Sequence, residues 1–188
     1  DNTSGNGGDL SLKAGRRIKL DANITIDTDN GALILTANDC TGTNDCNNGN
    51  NRRGSNTSGF ILMNSGSSIN TGTGDFTATV GTADTAHANY ITLTTVTTND
   101  LTVTNNSTSA NSDVNLGAST VGGNLVATAT NGNITDSDVL TVAGTSSFTT
   151  SADDADITLD STNVFTGAVS FTTAGTSGDV TVVNARDL

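Results

Sequence analysis

The sequence predicts an all-β parallel β-helix, a solenoid in which short strands stack in successive turns, here called rungs. The first observation is a period. Ile91, Val114, Ile134, Ile157 and Val180 open similar blocks, and the steps between them are 23, 20, 23 and 23 residues. The second observation is that each block divides into three short strands of alternating hydrophobicity, separated by turns rich in Gly, Asn and Asp. A period in the twenties built from such triplets is typical of a solenoid.

Composition is the third observation, and it argues against helices. The chain contains no Glu, Gln or Pro, whereas it has 36 Thr and 24 Asn among 188 residues. Most polar helix formers are therefore missing, while Thr suits a pleated surface and Asn and Gly suit turns. Only 33% of the residues are hydrophobic. A narrow solenoid needs few large side chains, because each inward residue stacks on its equivalents in the neighbouring rungs.

The predicted strands follow one another in a fixed order within each block. The first strands are Ile18/Leu20, Phe60/Leu62, Ile91/Leu93, Val114/Leu116, Ile134, Ile157/Leu159 and Val180/Val182. The second strands are Ile24/Ile26, Ile69, Val96, Thr120/Val121, Leu140/Val142 and Val164/Phe165. The third strands are Leu10/Leu12 of an incomplete opening rung, Leu33/Leu35, Phe76, Leu101/Val103, Leu125/Ala127, Phe148 and Val169/Phe171. We expect about seven rungs in a single domain spanning 1–188. The alternative, an antiparallel β-sandwich, would require hairpin turns instead of recurring triplets.

Two segments break the period, near 39–59 and 81–89, and insertions in solenoids project as loops where binding surfaces often lie. The first contains Cys40 and Cys46, which we expect to form a local disulfide in an oxidising compartment; two free thiols are the alternative. With one His in the chain, a zinc site is disfavoured. The same loop carries Arg52 and Arg53, the candidate binding residues.

Charge is distributed unevenly along the chain. The formal net charge is −12, and between Ser55 and Ala185 there is no Lys or Arg but there are eleven Asp. A surface so poor in cations is not expected to bind nucleic acid, whereas it should attract cations. No stretch is apolar enough to predict insertion into a membrane.

Clustered Asp residues in two predicted turns suggest a structural calcium ion. The candidate ligands are Asp136 and Asp138 in one turn and Asp153, Asp154 and Asp156 in the next rung. Carboxylates and turn carbonyls are the hard oxygen ligands that calcium requires. The alternative is that these are solvated turn residues, and no other cofactor is expected.

Three segments have a familiar repeat pattern: residues 7–20, 30–37 and 123–129, which read GGDLSLKAGRRIKL, NGALILTA and GNLVATA. They resemble the degenerate repeats of filamentous haemagglutinin-like exoproteins, the large adhesins of two-partner secretion systems. The resemblance implies a right-handed β-helix at the cell surface or secreted from it. It also implies an adhesive or scaffolding role, with host or matrix glycans as candidate partners.

We therefore expect a non-catalytic extracellular fibre or adhesin shaft. The chain opens on a third strand and closes on a first strand, which predicts that the solenoid continues at both ends, through head-to-tail copies or further rungs.

Two other functions remain open. A polysaccharide lyase would draw on cations beside carboxylates, with no aromatic residue nearby to stack on a sugar. Those candidate groups are Arg16, Arg17, Lys19, Asp21, Asp27 and Asp29. An ice-binding solenoid needs Thr pairs aligned on the same strand of every rung. The candidate pairs are Thr92/Thr94, Thr102/Thr104, Thr128/Thr130 and Thr149/Thr150, but on the first strands the series is interrupted at Asn115.

Overall fold

The computed structural model describes residues 7–39, 58–82 and 87–186. Every regular element in these ranges is a β-strand, and every strand pairing is parallel. The predicted parallel β-helix of about seven rungs is confirmed. No helix long and apolar enough to cross a membrane occurs within the described ranges.

Three faces of stacked strands form the solenoid. The first face holds β2 (Arg17–Leu20), β5 (Phe60–Met63), β8 (Tyr90–Thr92), β11 (Val114–Leu116), β14 (Ile134–Asp136), the beginning of β17 (Ile157–Phe165) and β19 (Val180–Asn184). The second face holds β3 (Thr25–Asp27), β6 (Ser68–Asn70), β9 (Thr95–Thr98), β12 (Ser119–Val121), β15 (Leu140–Val142) and the end of β17. The third face holds β1 (Leu10–Lys13), β4 (Leu33–Ala37), β7 (Phe76–Val80), β10 (Leu101–Asn105), β13 (Leu125–Ala129), β16 (Ser146–Asp153) and β18 (Val169–Ala174).

The register confirms the period that the sequence predicts. In the first face the inward residues form one aliphatic column along the rod: Ile18, Ile61, Ile91, Val114, Ile134, Ile157 and Val180. The residues at the middle of this column are completely buried. Successive residues of this column lie one rung apart, so the number of residues between them is the length of a rung.

For one strand, β5, the sequence predicts the wrong inward residues. The sequence predicts Phe60 and Leu62 as the inward pair of β5, but the register places Ile61 and Met63 in the core. Four apolar residues follow one another in this strand, so alternation alone does not identify the inward pair. A similar error affects Ile24, which lies before β3 and is exposed, while Ile26 packs against the core.

The core combines large and small side chains in the third face. Phe148 is fully buried, and in the preceding rung the same position is occupied by Ala127. The ring of Phe148 stacks on Phe171 at a centroid distance of 5.5 Å and meets Phe165 edge-on at 5.9 Å. Aromatic pairs at these separations stabilise beyond their buried area.

The terminal rungs of the described rod expose part of the core. Leu10 and Leu12 of β1 face inward in register with β4, yet each side chain is 37% exposed. At the other end Val180 faces inward on β19 and is 42% exposed. Among the described strands, both ends therefore present apolar side chains beside edges to which no further strand is paired.

Candidate functional sites

Asp and Asn side chains immediately before the first-face strands form a ladder along the rod. The Oδ1 of Asp113 accepts a hydrogen bond from the backbone N–H of Asn133 at 2.8 Å. The Oδ1 of Asn133 accepts from the N–H of Asp156 at 2.8 Å, and Asp156 accepts from Asp179 at 2.9 Å. Each side chain thus satisfies a turn amide in the next rung, where the backbone is not part of a strand ladder.

A second ladder of the same kind precedes the third-face strands. Asp75 accepts a hydrogen bond from the N–H of Asp100 at 3.1 Å, and Asp100 accepts from the N–H of Asn124 at 2.7 Å. Asn124 continues the series by accepting from the N–H of Thr145 at 2.9 Å. The acidic and amide residues that give the sequence its charge and polarity thereby hold successive rungs together.

Asp136 forms a buried corner between the first and second faces. Its Oδ1 accepts from the backbone N–H groups of Asp160 at 3.1 Å and Ser161 at 3.4 Å. Its Oδ2 accepts from the Nδ2 of Asn163 at 2.7 Å, and the Oδ1 of Asn163 accepts from the N–H of Leu140, also at 2.7 Å. Both side chains are buried. The corner coincides with a register shift within β17, which continues from the first face into the second.

The five predicted calcium ligands lie in different surroundings. Asp136 is the buried corner residue, and Asp156 belongs to the first ladder. Asp138 is exposed, and its Oδ1 accepts from the N–H of Val139 at 2.8 Å. Asp153 ends β16, and Asp154 follows it with a positive φ of 62°. No group of three acidic, His or Cys residues that could hold a metal occurs in the described part of the chain. The calcium site stays a prediction.

The basic candidates lie on the first rung. Lys19 forms an exposed ion pair with Asp21, at 2.6 Å between Nζ and Oδ1. Arg17 lies over the ring of Phe60, with its guanidinium carbon 5.1 Å from the ring centroid. Phe60 in turn stacks on Tyr90 at 4.9 Å. The expectation that no aromatic residue lies near these cations is therefore wrong, because parallel pairing brings Phe60 beside Arg17 across 43 residues of sequence.

This aromatic column does not provide a free platform for a sugar ring. Phe60 has the Arg17 guanidinium on one side and the Tyr90 ring on the other, and it is buried. The column packs along the rod axis in the position that the Asp and Asn ladder occupies in later rungs. Its contacts stabilise the first three rungs.

The acidic candidates near the second face, Asp27 and Asp29, are joined by a hydrogen bond. Asp27 lies on β3, whereas Asp29 follows the strand in a turn with a positive φ of 51°. The N–H of Asp29 donates to the Oδ1 of Asp27 at 2.9 Å, and the Nδ2 of Asn70 donates to its Oδ2 at 3.0 Å. These two hydrogen bonds hold the pKa of Asp27 below its ordinary value.

A buried cluster of hydroxyl and amide groups supports the corner next to the 81–89 segment, and no sequence pattern predicts it. The Nδ2 of Asn105 donates to the carbonyl groups of Asn89 at 2.8 Å and Ser112 at 2.9 Å. The Nδ2 of Asn89 donates to the Oγ of Ser107 at 2.8 Å. These residues are buried, and their hydrogen bonds replace apolar packing at this corner.

A shallow groove of about 270 Å³ crosses the turns between the first and second faces. Small residues such as Gly66 and Gly117 line it, and Asp138 contributes a carboxylate. The remaining predicted site residues lie outside the described ranges: Cys40, Cys46, Arg52 and Arg53.

The fold and these sites define a repetitive β-solenoid in which ladders of Asp and Asn side chains join successive rungs. A family model described as repeats of unknown function (DUF5649) matches residues 98–172, which span the third to the sixth rung. Comparison with curated proteins and with solved structures gave no match. The chain is therefore similar to a known repeat family over the regular part of its rod.

Proposed function

We propose that the chain is a segment of an extracellular, non-catalytic shaft of the filamentous haemagglutinin-like kind, secreted or held at the cell surface. The observation that carries this proposal is the pair of Asp and Asn ladders. Asp113, Asp156, Asp75 and Asp100 each accept a backbone N–H from the next rung. Carboxylates that could take part in acid–base catalysis instead accept hydrogen bonds that hold neighbouring rungs of a regular rod together.

The proposed partners are further rungs, from the same polypeptide or from a second copy stacked head to tail. Exposed inward residues at both ends, such as Leu12 and Val180, support this stacking.

Electron microscopy of the purified 188-residue chain tests the stacking. Seven rungs at about 4.8 Å each give a rod about 34 Å long. We expect rods that are several times this length and that lengthen with concentration. Leu12→Asp should shorten them, because it places a charge on the exposed first end, whereas Ile34→Asp on the side of the rod should not. Rods of single length at every concentration would contradict head-to-tail stacking.

A degradation assay separates the shaft from the lyase alternative. The chain is incubated with acidic polysaccharides, and unsaturated sugar products are followed by ultraviolet absorbance. We expect no release of products. Release that is lost in Lys19→Ala and retained in Lys13→Ala would favour the enzyme, because Lys19 is the cation paired with Asp21.

A further inference from the structure

The outward side of the third face carries an aligned column of threonines. Six consecutive rungs place Thr at the same position, and parallel pairing aligns them in register. They are Thr36, Thr79, Thr104, Thr128, Thr149 and Thr172. We call this surface, together with the neighbouring outward column two residues earlier on each strand, the threonine face. Thr104, Thr128 and Thr149 are candidates from the sequence, and the register shows that they belong to one unbroken column.

The threonine face has almost no charge on a protein whose net charge is −12. Its other outward positions hold Thr, Ser, Ile or Val, and among the described strands its one charged residue is Lys13 on β1. Two of these positions expose large apolar side chains, with Ile34 42% and Val126 40% exposed. An uncharged surface that combines methyl and hydroxyl groups differs chemically from the Asp-bearing turns.

The geometry of the threonine face is regular in two directions. Neighbouring strands are about 4.8 Å apart, and outward residues on one strand repeat every two residues, about 6.6 Å. Thr is restricted in its side-chain torsion, so its methyl and hydroxyl groups keep similar orientations from rung to rung. Both repeats are similar to the spacings of oxygen atoms on the surface of hexagonal ice.

The size and composition of the threonine face indicate which kinds of ligand fit it. Six strand spacings by about 13 Å of strand give about 380 Å², roughly half of the 800 Å² per partner that a stable dimer buries. Crystalline polysaccharide is a poor fit, because the outward positions of these described strands include no aromatic residue. A repeating and almost uncharged surface suits a ligand that is itself periodic.

We propose that the threonine face binds the surface of ice. Hydroxyl groups in the Thr column form hydrogen bonds to lattice water, while the methyl groups and the side chains of Ile34 and Val126 order the water between them. This activity goes beyond the proposed shaft and does not depend on it.

The test measures ice binding by the full chain. Thermal hysteresis and ice-crystal shape are recorded in a nanolitre osmometer for the unmodified chain, Thr104→Lys and Thr120→Lys. Thr104 lies at the centre of the threonine face, whereas Thr120 is an exposed outward residue of β12 in the second face, so it is a matched control. We expect faceted ice crystals and a gap between the melting and freezing temperatures, called the freezing gap, with the unmodified chain and with the control. The freezing gap should be several-fold smaller with Thr104→Lys.

A third variant separates loss of binding from loss of folding. Thr104→Val keeps the branched shape and the preference for strands, so circular dichroism and melting temperature should be unchanged while the freezing gap decreases. No freezing gap in the folded, unmodified chain would overturn the proposal. So would an equal loss in Thr104→Lys and Thr120→Lys, because the activity would then not belong to this face.

Discussion

Replacing Asn163 with Ala tests whether buried polar corners, as well as the apolar core, hold the rungs together. Asn163 is fully buried, and its amide satisfies two groups at 2.7 Å: the backbone N–H of Leu140 and the Oδ2 of Asp136. The Ala variant leaves both groups buried without these partners. Each such group costs about 1–3 kcal/mol, so the free energy of unfolding should decrease by about 2–6 kcal/mol.

Urea unfolding followed by circular dichroism measures this loss, and hydrogen exchange locates it. The amide of Leu140 should exchange much faster in Asn163→Ala than in the unmodified chain, because its acceptor has been removed. Asn115→Ala is the matched control, since the amide of Asn115 donates one half-buried hydrogen bond to the hydroxyl of Thr135. Its expected cost is about 0.5–1.5 kcal/mol. Equal losses in the two variants would refute the role assigned to the corner.

Four further predictions follow from the core, the carboxylate of Asp27, the two cysteines and the Asp-bearing turns. Phe148→Ala should decrease the free energy of unfolding by about 3–5 kcal/mol in urea titrations, because it removes a buried ring; a cost below 1 kcal/mol would contradict the packing. Asp27, with its lowered pKa, should stabilise the fold fully above the ordinary value of 3.8 and progressively less as the pH falls through the lower folded value. Asn70→Ala should raise that pKa in an NMR titration, and an unchanged value would contradict the hydrogen bond. Mass spectrometry without reductant should show a mass lower by two hydrogens if Cys40 and Cys46 are joined, whereas two alkylated thiols would refute the disulfide. Millimolar calcium should raise the melting temperature if the predicted Asp ligands bind it, and an unchanged melting temperature after chelation would mark them as turn residues.

The period of the sequence was enough to predict the fold, because each rung repeats the same apolar positions. Ile91, Val114 and Ile134 are separated by 23 and 20 residues and are register partners in the structure. The alternation of apolar and polar residues did not identify the inward residues of a strand in which every residue is apolar. In β5 four apolar residues follow one another, and only pairing with β2 shows that Ile61 and Met63 face inward.

The polar contacts could not be predicted, because they join residues one rung apart whose pairing depends on the exact register. Asp113 reaches the N–H of Asn133 20 residues later, while Arg17 reaches Phe60 across 43 residues that include the 39–59 segment. Predicting the Thr column also required the register between neighbouring rungs. Thr104 and Thr128 are separated by 24 residues, and their alignment becomes visible only when the third strands are placed side by side.

Distances between spin labels along one column test the parallel β-helix most directly. Nitroxide pairs at Thr36 and Thr128, Thr36 and Thr149, and Thr36 and Thr172 are separated by three, four and five strand spacings. The β-helix predicts backbone separations of about 14, 19 and 24 Å, which increase by about 4.8 Å at each step. Pulsed electron paramagnetic resonance should reproduce this uniform increase. Distances that do not increase from pair to pair, as in an antiparallel sandwich, would contradict the fold and every ladder derived from it.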